Sequence, residues 1–170
     1  MRIVKTQQTT KRLTLAAMLI ALSIVFGRVF LIPLPWTHGN VNLCDAPIFV
    51  GAMLLGPWYG GIIGGSAGLF LDLLSGFGQY APFSFVAHGL EGLIAGWLMR
   101  WLPNRWGQLL GLILGVAVMV VCYFFADSIL YSWSTGALGV IPNTLQGVVG
   151  AVVAVLFERP LKRNLHLSLK

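Results

Sequence analysis

Charged side chains are scarce in this 170-residue chain. Eleven Lys and Arg and five Asp and Glu residues make up only 9% of it, while hydrophobic residues make up 57%. A soluble domain carries roughly 25% charged residues, so this composition excludes a soluble enzyme, a nucleic-acid-binding domain and a disordered tail. It is typical of an integral membrane protein, in which the 21 glycines are tolerated where helices approach closely.

Cysteines and catalytic motifs are also few. Cys44 and Cys122 lie in separate apolar segments without a CxxC motif or a histidine beside them, so neither a disulfide framework nor a metal site is predicted. The sequence has no G-x-x-x-x-G-K-[ST] phosphate loop, no H-E-x-x-H and no G-x-S-x-G. It therefore predicts a protein that is not an enzyme and has no cofactor or nucleotide site of its own.

Six apolar segments are separated by loops rich in Pro, Gly and Asn. A membrane-spanning helix needs about 20 mostly apolar residues, and only the second segment is short. The first, second, fourth and sixth segments cover about 13–32, 44–55, 83–101 and 134–157; the third follows the GPWYGG turn and ends near 74, and the fifth follows the LPNRWG turn and ends near 133. The first is too long for a cleaved signal peptide and lacks its A-x-A site. The predicted fold is a single all-α membrane domain over residues 1–170, with six transmembrane helices and basic tails at 1–12 and 158–170.

Basic residues are distributed unevenly about these segments. An even number of spans places both termini on one side, and ten of the eleven basic residues fall on that side. They are Arg2, Lys5, Lys11, Arg12, Arg100, Arg105, Arg159, Lys162, Arg163 and Lys170. The positive-inside rule makes that side cytoplasmic, and only Arg28 lies towards the other.

Ionisable residues within the segments all lie towards the outer side. They are Asp45, Asp72, His88, Glu91 and Asp127. Such groups are costly in a membrane and usually face a cavity or a partner. His88 and Glu91 are three residues apart and share a helix face. We therefore predict an outer pocket for a small ring-containing ligand, with these substrate-binding residues: Trp36, His38, Asn40, Gln79, Tyr80, His88, Glu91, Asp127, Tyr131, Asn143 and Gln146.

Other roles are open for the same residues. Trp and Tyr also form interfacial belts, and carboxylates also cap helices; Asp45, which precedes Ala46 and Pro47, could be an N-cap. The outer half contains four carboxylates against Arg28 and two histidines. That balance favours a neutral or weakly basic heterocycle, able to stack on Tyr80 or Trp133, although Arg28 alone could bind a carboxylate.

Small residues recur four apart on several helices. Gly60, Gly64 and Gly68 form one such face and predict close packing inside the protein, as do Gly92 and Gly96. Ala17 and Ala21 form an A-x-x-x-A face near the cytoplasmic end of the first helix. A second protein could dock there.

The block NLCDAPIFVGAMLLGPWYGGIIGGSAGLFLDLLSGFGQYAPFSFVAHGLEGLIAGWL resembles the substrate-binding subunits (S components) of energy-coupling factor (ECF) transporters. Its D-A-P…G-P…D-L-L-S-G…Y-A-P-F-[ST]-F…H-G-L-x-G progression covers about residues 42–98. The branch it resembles most is that for hydroxymethylpyrimidine or vitamin B6 precursors. The riboflavin and pantothenate branches share the same glycine and proline scaffold and stay open as alternatives.

The resemblance implies a vitamin-binding protein of the bacterial plasma membrane. Its partners would be a transmembrane scaffold subunit and two cytoplasmic ATPases, which would use the ATP. Ala17 and Ala21 match the motif that contacts the scaffold, and the ligand would sit on the extracellular side under the interhelical loops.

Two functions of other classes compete with this interpretation. An autonomous six-helix transporter or channel should carry polar residues through its full depth, whereas here they stop at the outer half. An intramembrane enzyme using His88 and Glu91 as acid and base would need a nucleophile or metal beside them, and one histidine makes a poor metal site.

Overall fold

The computed structural model describes residues 2–165, with side chains from residue 7 onward except those of Lys162, Asn164 and Leu165. This part of the chain forms six helices and a short antiparallel hairpin. They are α1 (Arg2–Val29), β1 (Ile32–Leu34), β2 (Gly39–Val41), α2 (Asp45–Leu55), α3 (Pro57–Ser75), α4 (Ala81–Trp101), α5 (Arg105–Leu130) and α6 (Trp133–Leu165). The fold prediction of six helices is confirmed. Lys170 and the side chains of Arg2, Lys5 and Lys162 lie outside the described residues.

Three boundaries differ from the prediction. The supposed tail at 1–12 is helical from Arg2, and the tail at 158–170 continues α6 to Leu165. Both stretches are polar but contain good helix formers, so α1 and α6 extend beyond their apolar parts. The predicted loop after α1 contains the hairpin, in which Ile32 pairs with Val41 and Leu34 with Gly39.

The helices differ in their suitability for crossing a membrane. Within the described chain, Gln7–Val29, Arg105–Leu130 and Trp133–Leu161 are long and apolar enough to span it alone. The 11-residue α2 is too short, and all of its residues are buried. A helix that is apolar on every side belongs inside a protein, so α2 is a core helix, packed against α1, α3, α4 and α6.

Glycines bring α3 and α4 into backbone contact. A Cβ atom on Gly64 would lie 2.0 Å from the His88 carbonyl oxygen, and one on Gly68 would lie 2.7 Å from that of Ser84. A Cβ on Gly60 would meet the Gly92 carbonyl oxygen at 2.5 Å. The glycine face of α3 is therefore an internal packing surface, and it fixes the position of the first turns of α4.

The hairpin covers one end of the helix bundle. His38 closes its turn with a φ of 57°. Leu34 of β1 and Thr37 of the turn have buried side chains. Tyr80, just before α4, lies 3.0 Å from the Thr37 carbonyl oxygen. We call this the hairpin end. The other end, where α4 finishes and α5 starts, is the arginine end: Arg12 of α1 and Glu158 of α6 share one cavity there with Arg100 and Arg105.

Candidate substrate-binding site

A small cavity of about 30 Å³ lies under the hairpin, between α3, α4, α5 and α6. Its walls comprise Leu34, Thr37, Gly39, Asn40, Asn42, Gly68, Leu71, Asp72, Tyr80, His88, Tyr123, Asp127, Gly139, Asn143 and Gln146. Six of the eleven predicted substrate-binding residues are among them: Asn40, Tyr80, His88, Asp127, Asn143 and Gln146. The hairpin contributes Leu34, Thr37, Gly39 and Asn40 to its walls and covers part of the cavity.

The other five predicted residues do not line the cavity. Glu91 is fully buried behind His88. Trp36, His38, Gln79 and Tyr131 are exposed, and the rings of His38 and Tyr131 contact each other with centroids 4.7 Å apart. These four residues lie around the cavity: Trp36, His38 and Gln79 each precede a lining residue in the chain, and the Tyr131 ring lies 6.3 Å from that of Tyr80.

Tyr80 and Asp127 join three elements at the top of the cavity. The Tyr80 hydroxyl donates to Asp127 Oδ1 at 2.6 Å and also lies near the Thr37 carbonyl of the hairpin. Burial and the Asp127 carboxylate raise the pKa of the Tyr80 hydroxyl, so it stays a donor. On α6, a Cβ on Gly139 would lie 2.6 Å from Asp127 Oδ2. A larger residue at this position would therefore have to displace the Asp127 carboxylate.

A hydrogen-bonded chain forms the opposite wall. The Ser84 hydroxyl donates to Asp72 Oδ2, and Tyr123 Oη lies 2.7 Å from Ser84 Oγ and 3.1 Å from His88 Nε2. Because Ser84 gives its one hydrogen to Asp72, Tyr123 gives its hydrogen to Ser84. His88 Nε2 must then donate to Tyr123.

Behind this wall, His88 lies between two buried carboxylates. Its Nδ1 is 2.8 Å from Glu91 Oε2 and 3.1 Å from Asp45 Oδ1. Ionised carboxylates only accept hydrogen bonds, so this geometry is satisfied by an imidazolium that donates from both ring nitrogens. Asp45 Oδ2 and Glu91 Oε1 have no hydrogen-bond partner among the described residues.

Two expectations about Asp45 and Cys44 are wrong. Asp45 is not an N-cap: Cys44 occupies that position and no side chain caps the helix. Cys44 also has a histidine neighbour, because its Sγ lies 3.7 Å from His88 Nε2. The fold brings the start of α2 against α4, which residue spacing along the chain does not reveal.

Cys44, Asp45 and His88 are residue types that bind transition metals, and their ligand atoms lie within 4.8 Å of one another. Both His88 nitrogens are nevertheless engaged by Glu91, Asp45 and Tyr123. A metal would have to break these contacts and deprotonate the thiol. The arrangement is better described as an ion-pair cluster that fixes the orientation of His88 at the cavity wall.

The lining combines two carboxylates with the imidazolium of His88, whose charge is already paired with Asp45 and Glu91. The two carboxylates are those of Asp72 and Asp127. Among the residues that the structure describes, no Lys or Arg lines the cavity. Arg28, considered as a partner for a ligand carboxylate, is exposed on the last turn of α1. The site is thus built to face hydrogen-bond donors more than anions.

Four polar lining residues were not among the predicted substrate-binding residues: Thr37, Asn42, Asp72 and Tyr123. The Asn42 backbone N–H donates to Gln146 Oε1 at 2.8 Å, and its side chain donates to Asn40 Oδ1. The N-x-N spacing was a usable signal, because residues two apart share a strand face. Asp72 follows Gly68 by four residues, so the two share one face of α3, and this spacing also indicated that Asp72 lies beside the cavity. Trp133 does not line the cavity but packs on Phe124 and Phe125.

Comparisons with known proteins agree with this architecture. The family model for the ECF-type riboflavin transporter, S component, matches residues 7–163. The thiamine precursor transporter HmpT of Lactococcus lactis subsp. cremoris (strain MG1363) is 38% identical over 91% of this chain and 89% of its own length. An uncharacterized protein from Pyrococcus woesei is 34% identical over 74% of this chain and 81% of its own length.

Solved structures share the fold. An S component of a bacterial ECF transporter superposes with a TM-score of 0.73 at 23% identity, covering 92% of this chain and 98% of that chain. The S component for biotin from an ECF-type ABC transporter has a TM-score of 0.66 at 22% identity, covering 90% and 93%. The chain belongs to the S components of ECF transporters: it is a multi-pass membrane protein that binds the substrate of an importer, and it is not an enzyme.

Proposed function

We propose that this S component binds a neutral or weakly basic heterocycle with a single ring. The first candidate is hydroxymethylpyrimidine, the pyrimidine precursor of thiamine, and the second is a pyridoxine-like ring. The observation that carries the proposal is the pairing of two carboxylates, Asp72 and Asp127, across a cavity without Lys or Arg in its described walls. An amino or hydroxyl group on the ring would donate to one of them. The name of the Lactococcus relative supports the same ligand class.

Cavity size supports one ring over three. With about 30 Å³ of free volume, roughly the space of one or two water molecules, the walls must move even for a pyrimidine. The tricyclic flavin of riboflavin, named by the family model, would require much more displacement. Pantothenate would bring its carboxylate against Asp72 and Asp127, and the His88 imidazolium beside them is already paired with Asp45 and Glu91.

Roles for the remaining site residues follow from their positions. Asn40, Asn143 and Gln146 offer amide groups to the ring, and Tyr80 and Tyr123 offer aromatic edges and hydroxyls. Glu91 acts through His88, by holding its Nδ1 hydrogen. Trp36, His38, Gln79 and Tyr131 form the rim that would open and close with the hairpin.

Membrane orientation and partners belong to the same proposal. We infer that the arginine end faces the cytoplasm of a bacterial cell, in the plasma membrane, because basic residues concentrate there. Both described ends of the chain, α1 and α6, approach that side. The ECF family implies a transmembrane scaffold and two ATPases as partners, with exposed Ala17 and Ala21 on α1 as the proposed contact.

Ligand identity is tested first by mass spectrometry of small molecules released from the purified protein. Calorimetry then compares hydroxymethylpyrimidine, pyridoxine, pantothenate and riboflavin on the wild type, on Asp127→Asn and on Glu158→Gln. A hydrogen bond to a charged group contributes about 1.5–3 kcal/mol, so Asp127→Asn should weaken pyrimidine binding roughly ten- to a hundredfold. Glu158→Gln removes a carboxylate at the arginine end and should leave affinity unchanged.

Three results would overturn the proposal. They are tight binding of pantothenate, tight binding of riboflavin with no response to pyrimidine, and equal pyrimidine affinity in Asp127→Asn and wild type. The last would place the ligand away from the cavity even if its identity is right.

A further inference from the structure

A second cavity, unrelated to the substrate site, lies at the arginine end of the bundle. It has a volume of about 640 Å³ and is bordered by α1, α2, α4, α5 and α6. Arg100, in the last turn of α4, follows Ser84 of the substrate site by 16 residues. At 1.5 Å per residue these two residues lie about 24 Å apart along α4, and the nearest α4 lining residues of the two cavities, His88 and Gly96, lie about 12 Å apart.

The second cavity carries an excess of positive charge. Arg12, Arg100 and Arg105 line it, against the single carboxylate of Glu158, which already accepts a hydrogen bond from Gln108. The N-terminus of the 26-residue α5 begins at Arg105 and adds its partial positive charge on the same side. The chemistry of this cavity therefore suits an anion.

An apolar groove adjoins it. Trp58, Leu93, Ile94, Trp97 and Trp101 line this groove, whose volume is about 630 Å³, and Arg100 lines both spaces. Trp97 and Trp101 stack with ring centroids 5.9 Å apart and an interplanar angle of 11°. Trp58 and Trp101 are 74% and 67% exposed. A basic site and an exposed aromatic groove thus meet at one arginine.

A ligand that uses both spaces needs an anionic head and an apolar tail. We propose that they form one site for an anionic phospholipid of the cytoplasmic leaflet, with its phosphate among Arg12, Arg100 and Arg105 and an acyl chain along Trp97 and Trp101. Basic pockets between transmembrane helices on the cytoplasmic side bind anionic headgroups in this way. A soluble anion would leave the groove uncovered, and a neutral lipid would leave the excess of three arginines over the one carboxylate of Glu158 uncompensated.

The experiment uses the full-length protein in detergent, titrated with phosphatidylglycerol or phosphatidylcholine and analysed by native mass spectrometry. The variants are Arg100→Gln and the pair Arg12→Gln with Arg105→Gln. Arg28→Gln is the matched control, since Arg28 is an exposed arginine at the hairpin end. Wild type and Arg28→Gln should retain phosphatidylglycerol in preference to phosphatidylcholine, and each lost arginine should weaken that retention about fivefold.

A second variant tests the groove separately. Trp97→Ala with Trp101→Ala should reduce retention of phosphatidylglycerol while leaving all arginines in place, and circular dichroism with size-exclusion chromatography verifies that each variant is folded. Equal retention of the two lipids by wild type, or unchanged phosphatidylglycerol retention in both arginine variants, would overturn the proposal. So would loss of scaffold co-purification in Arg100→Gln without any loss of lipid, which would assign the site to a protein partner. None of these outcomes depends on which vitamin the outer cavity binds.

Discussion

Polar side chains are buried at one end of α4 and exposed at the other. At the hairpin end Ser84, His88 and Glu91 are 2% exposed or less, and each has a hydrogen-bond partner from another residue. At the arginine end Arg100 is exposed and Trp97 is 57% exposed. One helix therefore carries a buried polar cluster and a surface-exposed basic and aromatic terminus.

This difference in burial is consistent with the different roles proposed for the two ends. Buried ion pairs seldom add stability, because desolvation offsets most of the Coulombic attraction. The proposed function gives the buried Asp45, His88 and Glu91 another role, which is to hold the His88 ring in one orientation at the cavity wall. Exposed arginines cost little desolvation, and their proposed roles are to set the orientation in the membrane and to bind an anionic lipid.

The largest expected effect comes from breaking the buried cluster. His88→Asn leaves a side chain too short to reach both carboxylates, so Asp45 and Glu91 would lie buried with incomplete compensation. We expect a loss of about 3–5 kcal/mol in the free energy of unfolding, measured by chemical denaturation in detergent. His38→Asn is the control; it should change stability by less than about 0.5 kcal/mol, since His38 is exposed and Asn tolerates a positive φ.

Adding Glu91→Gln to His88→Asn sharpens the test. Removing the second charge should restore part of the lost stability, because the two residues act as a pair. Equal stability of His88→Asn and His38→Asn would mean that the carboxylates do not depend on His88.

A smaller effect is expected from separating α3 and α4. A methyl group on Gly64 would overlap the His88 carbonyl oxygen, at 2.0 Å, whereas nothing lies within 4 Å of a Cβ on Gly78. Gly64→Ala should cost about 1–3 kcal/mol as an overpacked site and should also weaken ligand binding, because α4 carries His88 into the cavity. Gly78→Ala, in the loop between the same helices, should do neither.

Thermal unfolding and calorimetry on this pair measure both consequences. Normal ligand affinity in a destabilised Gly64→Ala would separate helix packing from the geometry of the site.

Much of this fold was readable from the sequence. Apolar length, turn residues and the distribution of basic side chains indicate six helices, because a membrane imposes those patterns on any spanning chain. The hairpin was not predicted, since residues 32–41 are too short and too irregular to show a period of two. The position of α2 as a core helix was not apparent either, because an apolar run looks the same whether lipid or protein surrounds it.

The sequence predicted how deep in the membrane the site residues lie, but it did not predict which way each helix turns its side chains. The cost of burying ionisable groups predicted that Asp72, His88 and Asp127 lie near a cavity. That Tyr123 faces the cavity, and that Trp133 packs on Phe124, depends on helix rotation, which the sequence does not reveal. Likewise, the contact between Asp45 and His88 joins residues 43 positions apart, and no local spacing indicates such a pair.

The smallest effect on stability should come from the surface proposed for the scaffold. Ala17 and Ala21 are exposed on α1, next to Met18 and Leu22, which are 62% and 41% exposed. Ala17→Trp with Ala21→Trp adds bulk where the described structure has no packed neighbour to displace. The free energy of unfolding and the ligand affinity should therefore stay within about 0.5 kcal/mol of wild type.

Coupling should nevertheless be lost, because small residues four apart permit close approach of another helix and two indole rings prevent it. The measurement is co-purification of the scaffold and ATPases, together with vitamin uptake by cells. Val148→Trp with Val152→Trp is the matched control, with the same spacing on exposed positions of α6. If both double variants bind the ligand and only the α1 pair loses its partners, then binding and coupling occupy separate surfaces of the subunit. Normal co-purification with the α1 pair would instead move the contact to another helix, and equal loss in both pairs would indicate a general sensitivity of the membrane-facing surface to bulk.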